Sequence, residues 1–73
     1  MDAASKMAEI VSAGDTLRDT AGNSYLVRGF VGHGTDARVK VMRERDQQER
    51  DVYATVAWTM LENGNLWKEE KKK

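Results

Sequence analysis

There is no cysteine anywhere in this chain. That absence excludes disulfides, thiolate metal sites and a cysteine nucleophile. There is one histidine, His33, so a zinc site would have to be built from it and carboxylates, a poor fit to so short a sequence. Net charge is also missing, because twelve Lys and Arg are balanced by twelve Asp and Glu. A dedicated nucleic-acid binder needs a basic face, and zero net charge argues against one while leaving room for a local patch. No stretch approaches the roughly 20 apolar residues of a membrane span. Asp2, Lys6 and Glu9 interrupt any apolar run at the N-terminus, where a signal peptide would need one. The expectation is a soluble, cytoplasmic protein.

The 73 residues suffice for one domain. A chain of this size buries only about 60% of the surface it exposes when unfolded, so its core is thin. Small domains compensate with disulfides, metals or oligomerisation. With the first excluded and the second disfavoured, oligomerisation is the compensation left.

What is present reads as a short helix followed by strands. Ala3, Met7, Ile10 and Val11 share one helical face within residues 2–14. Asp2 is placed to cap that helix and Gly14 to end it. The alternative is a frayed arm. Residues 15–19 suit a short strand, and Thr20-Ala21-Gly22-Asn23 a turn. Residues 24–31 form the clearest apolar strand, with Gly29 marking a bulge or bend. After a loop at 32–36, residues 37–45 alternate, with Val39 and Val41 on one side and Arg38, Lys40 and Glu44 on the other. Residues 43–51 carry no apolar side chain and suit a solvated hairpin tip.

Residues 52–61 fit two templates. As a helix, Val52, Tyr53, Val56, Met60 and Leu61 share a face and Gly64 becomes the residue just past its end. As a strand, Val52, Ala54, Val56, Trp58 and Met60 line one face. Richness in β-branched and aromatic residues favours the strand. So does Asn63-Gly64, the strongest short-range hairpin signal, which would pair Leu61 with Leu66 and Met60 with Trp67. On this reading Trp58 and Trp67 belong to the core or a subunit interface.

The expected architecture is mainly β: a five-stranded antiparallel meander forming a small barrel. A helix or arm at 1–14 precedes it, the barrel occupies 15–70, and a charged tail follows at 71–73. The alternative is α+β, with a helix at 46–63. In strand count and turn placement, residues 15–70 resemble the SH3-like superfold and the KOW and Tudor-type modules within it. That superfold hosts many unrelated functions, so the resemblance implies an architecture only. Type II dihydrofolate reductases also use SH3-like subunits, but their Val-Gln-Ile-Tyr signature is absent here; the nearest text is Asp51-Val52-Tyr53-Ala54.

No chemical constellation stands out. Gly32-His33-Gly34 lacks the spacing of a phosphate-binding loop and reads as an exposed turn. Ser5, Ser12 and Ser24 have no nucleophile elbow around them. Neither an enzyme nor a cofactor is expected. The candidate binding surface is Arg28, Arg38, Lys40, Arg43 and Arg45, with Tyr53 as a stacking platform. Asp36, Glu44, Asp46, Glu49 and Asp51 lie in the same region and would neutralise it. The leading expectation is a protein-binding or self-associating module, of a size that suits an accessory protein of a phage or mobile element. The runner-up is a nucleic-acid-binding barrel using the basic strand face.

Overall fold

A computed structural model describes residues 3–69. The elements run α1 (Ala3–Ile10), β1 (Thr16–Asp19), β2 (Ser24–Val31), a 3₁₀ turn (Gly34–Asp36), β3 (Arg38–Arg43), β4 (Gln48–Tyr53), α2 (Ala54–Glu62) and β5 (Leu66–Glu69). The strands form one antiparallel sheet in the order β4-β3-β2-β1-β5. β4 and β5 are its two edges and do not pair with each other, so the sheet is not closed into a barrel. The mainly β, five-stranded expectation holds in that coarser form. The expected cap Asp2 and the tail at 71–73 lie outside the described residues.

Both helices pack on one face of the sheet. Cross-strand partners in an antiparallel pair point to the same side. Leu17 on β1, Val27 on β2, Val39 and Val41 on β3 and Leu66 on β5 are all buried in one cluster with Met7, Val11, Ala54 and Ala57. This is the inner face. Between Val27 and Gly29 the β2–β3 register shifts, so the bulge expected at Gly29 is present. The extra residue changes the phase of the strand and brings Phe30 opposite Val39, against the core. α1 is no frayed arm: Met7 is 0% exposed and Val11 is buried, while Ile10 points out.

The strand expected over 52–61 is corrected. β4 ends at Tyr53 and the chain turns directly into α2. The alternative helix at 46–63 holds only from Ala54 to Glu62, since residues 48–53 pair along β3 from Arg38↔Tyr53 to Arg43↔Gln48. The physical reason lies in two alanines. Ala54, Ala57, Trp58 and Leu61 fall at i, i+3, i+4 and i+7, and all four pack into or against the core. Alanine is the best helix former, and its small side chain lets the helix lie close to the sheet. Propensity had pointed to strand through Val56 and Thr55, which are exposed here.

Asn63-Gly64 is accordingly a helix terminus and not a hairpin. The Asn63 N–H donates to the Thr59 carbonyl at 3.0 Å and the Asn65 N–H to the Met60 carbonyl at 2.9 Å. Gly64 sits at φ 84°. Together these make a Schellman cap with glycine in the left-handed position. β5 therefore does not pair with residues 60–61; it runs beside β1, with Arg18↔Trp67 and Asp19↔Leu66 in register. Trp67 is turned to the outer face and 43% exposed, so of the two places expected for it, core or subunit interface, the core is excluded.

Candidate functional site

The face of the sheet opposite the helices is the candidate surface. On β3 it carries Arg38, Lys40 and Met42; on β4, Tyr53, Asp51 and Glu49; on β2, Val31, the bulged Arg28 and Leu26. Beyond them lie Thr16 and Arg18 on β1 and Trp67 on β5. Leu26 and Met42 are half-buried, whereas Val31 and Tyr53 stand well exposed.

Four of the six expected residues share this face: Arg28, Arg38, Lys40 and Tyr53. The Arg38 guanidinium lies 5.0 Å from the centroid of the Tyr53 ring, a cation–π contact between directly paired residues. Lys40 is paired across the strands with Asp51. Arg28 reaches Glu49 at 3.9 Å. The three cations lie on β2 and β3, and the acids Glu49 and Asp51 flank them on β4. Sequence parity had found Arg38 and Lys40; the bulge that leaves Arg28 on their side was visible only as Gly29.

Arg43 and Arg45 are not part of it. Arg43 ends β3 on the inner side, where its Nη2 donates to Asp46 Oδ2 at 2.6 Å and its Nε to Oδ1 at 3.1 Å. That two-pronged pairing with Arg43, helped by the Gln48 N–H, holds the Asp46 carboxyl at about 2. It compensates the Arg43 charge and raises the Arg43 proton affinity in turn. Arg45 projects from the turn that joins β3 to β4.

β4 is the second element of the site. It is an edge strand of six residues, and all but Val52 are exposed. Its open edge pairs with no strand among the described residues. An exposed edge is a template for another strand, and its central registers disfavour its own copy. In an antiparallel two-fold pairing, the residue at the axis faces itself. Centring on Glu49, Arg50 or Asp51 sets like charges directly opposite each time, which is destabilising. A shift by one residue would put inner side chains opposite outer ones.

The β1–β2 turn is the most tightly bonded part of the rim. Asp19 accepts from the Ala21 and Asn23 N–H groups, both at 3.0 Å, from Asn23 Nδ2, and from the Tyr25 hydroxyl at 2.9 Å. Partial burial works against its ionised form, yet these donors outweigh it and lower its pKa. Burial and the neighbouring Asp19 carboxylate push the Tyr25 phenol up. His33 precedes the 3₁₀ turn without a side-chain bond to it and is exposed, as a turn residue would be. Among the described residues no three His, Cys, Asp or Glu side chains cluster as metal ligands. No helix among them is long and apolar enough to cross a membrane. The chain matches no family model, no curated protein and no solved structure.

Proposed function

We propose that this chain is a non-enzymatic protein-binding module that takes an extended segment of a partner along the open edge of β4. The observation that carries the reading is the exposed six-residue edge strand, whose outward acids Glu49 and Asp51 line the open edge of the sheet. Strand addition supplies main-chain hydrogen bonds for affinity, and alternate side chains supply specificity. The outward side chains of β4 are Glu49, Asp51 and Tyr53. A complementary strand carries basic residues opposite the two acids and an apolar residue beside the tyrosine. The like-charge central registers disfavour a second copy on this edge, which favours a different protein as the partner. The strand order also supports an SH3-like arrangement whose seam between β4 and β5 is left open, with α2 beside it.

A nucleic-acid reading draws on the same face, through Arg28, Arg38, Lys40 and Tyr53. Glu49 and Asp51 on β4 face those cations from one side, with Glu49 reaching Arg28, and count against it. Selection from a displayed library of random peptides tests the choice. Enrichment of extended segments with basic residues at alternate positions supports strand addition. No enrichment, together with salt-sensitive binding of RNA or DNA that Arg38→Ala and Lys40→Ala both weaken, would replace it with the nucleic-acid reading.

A further inference from the structure

The inner face carries a second feature, independent of the β4 edge. A cavity of about 200 Å³ lies between the sheet and α2. Its lining comes from all five strands and the helix, and is apolar apart from Asp19, Tyr25 and Arg50. Volume alone implies a small guest, since an apolar cavity of roughly 150 Å³ holds a benzene ring.

The polar groups decide what kind of guest. A carboxylate offers about four acceptor sites, and Asp19 has already filled them with four donors. The Tyr25 hydroxyl spends its proton on Asp19. Arg50 differs. It sits on the inner side of β4, directly across from buried Val41, in a row that is otherwise hydrophobic. Among the described residues its one bonded partner is the neutral Gln48 Oε1 at 3.3 Å, and none of their carboxylates lies within ion-pair distance. The nearby Arg43 is taken up by Asp46. One uncompensated guanidinium at the edge of an apolar cavity matches one anionic head on an apolar body.

We propose that this cavity binds a small free carboxylic acid. Its hydrocarbon body lies among Val39, Val41, Val52, Ala57, Met60 and Leu66, and its carboxylate pairs with Arg50. A monoanion fits a single cation better than a phosphate, which gathers several.

The test is a methyl-resolved NMR titration of the full chain with octanoate, 3-phenylpropionate, octylamine and octanol. The expected result is saturable shifts at Val39, Val41, Met60 and Leu66 with the two acids, at a Kd below about 1 mM. Arg50→Gln should weaken the acids about tenfold and leave octanol unchanged, while Arg50→Lys retains part of the effect. Arg50 is solvent-exposed, so neither variant threatens the fold. Ala57→Val, which intrudes on the cavity, should weaken both acids. Failure to saturate, equal binding of octylamine, or acid binding indifferent to Arg50→Gln would overturn the proposal. Arg50 would then be only a solvated side chain beside the cavity. Tighter binding of a tripeptide ending in leucine than of octanoate would overturn the assignment to a free acid. None of these outcomes bears on strand addition at β4, which uses Glu49, Asp51 and Tyr53.

Discussion

Arg38 and Tyr53 face each other across β3 and β4, guanidinium over ring, at the end of the outer face where the chain leaves the sheet for α2. Both side chains are exposed. An exposed cation–π pair contributes only about 0.5–1 kcal/mol to folding, so the pair is poorly explained by stability alone. Arg38→Ala and Tyr53→Ala should each lower unfolding free energy by no more than about 1 kcal/mol, with a double-mutant coupling near half of that. Urea unfolding of the four proteins measures it. A loss several times larger would mean that the pair is structural.

Gly64 distinguishes a helix cap from a hairpin turn. At φ 84° any side chain is strained, although open space surrounds the position. Gly64→Ala should therefore cost about 1 kcal/mol through backbone strain alone. The companion substitution Asn63→Ala should cost less than a type I′ turn would demand, because Asn63 has φ −92°, an ordinary value for any residue. Equal, large losses at both positions would point back to a hairpin.

Much of the sheet was legible in the sequence. β2 was read at its true limits, because its turn residues and its apolar run agree. Val39 and Val41 gave the inner face of β3 through simple alternation. The switch at Tyr53 was not legible, because no glycine or proline marks it and the chain passes from strand to helix without a loop. What selects the helix is tertiary. Ala54 and Ala57 are the residues that allow α2 against the sheet, and short alanines contribute little to a hydrophobic stripe read from sequence. The same limit applies to the site. Arg38 and Lys40 follow from alternation, whereas Arg43 looked equally available until its bonds to Asp46 were seen. In the sequence Arg50 is one basic residue among several near the hairpin tip, and only the cavity beside it sets it apart.

Met7 tests whether α1 belongs to the folded unit. It is fully buried against the shared core. Met7→Ala should destabilise the protein by about 2–5 kcal/mol, a large part of what so small a domain possesses. Ile10→Ala, one turn along on the exposed side, should change little. Denaturation midpoints for the two variants give the comparison. Equal, negligible effects would make α1 an appendage.

Acid should loosen the rim before it reaches the core. Asp15, Asp19 and Asp46 are all held below their ordinary value of 3.8, Asp46 at about 2. The causes are the Ser12 N–H and Lys68 for Asp15, the turn donors for Asp19 against its burial, and Arg43 for Asp46. A depressed carboxylate contributes stability above its unfolded pKa and loses it as pH falls through the folded one. Stability should therefore hold down to about pH 4 and decline below it. Asp19→Asn should be less stable at neutral pH and show a shallower decline. A loss of stability that begins near neutrality would require a different titrating group.

The central claim is that β4 receives a partner strand whose charges oppose its own. The most direct measurement is a charge-swap titration with a selected peptide bearing basic residues opposite Glu49 and Asp51. Glu49→Lys with Asp51→Lys should weaken that peptide at least tenfold, two like-charge contacts replacing two attractive ones. The same peptide with its basic residues changed to glutamate should recover most of the loss on the variant and bind poorly to the original chain. Recovery in that combination alone is the predicted result. Binding that is indifferent to the swap, or lost without recovery, would contradict strand addition at β4.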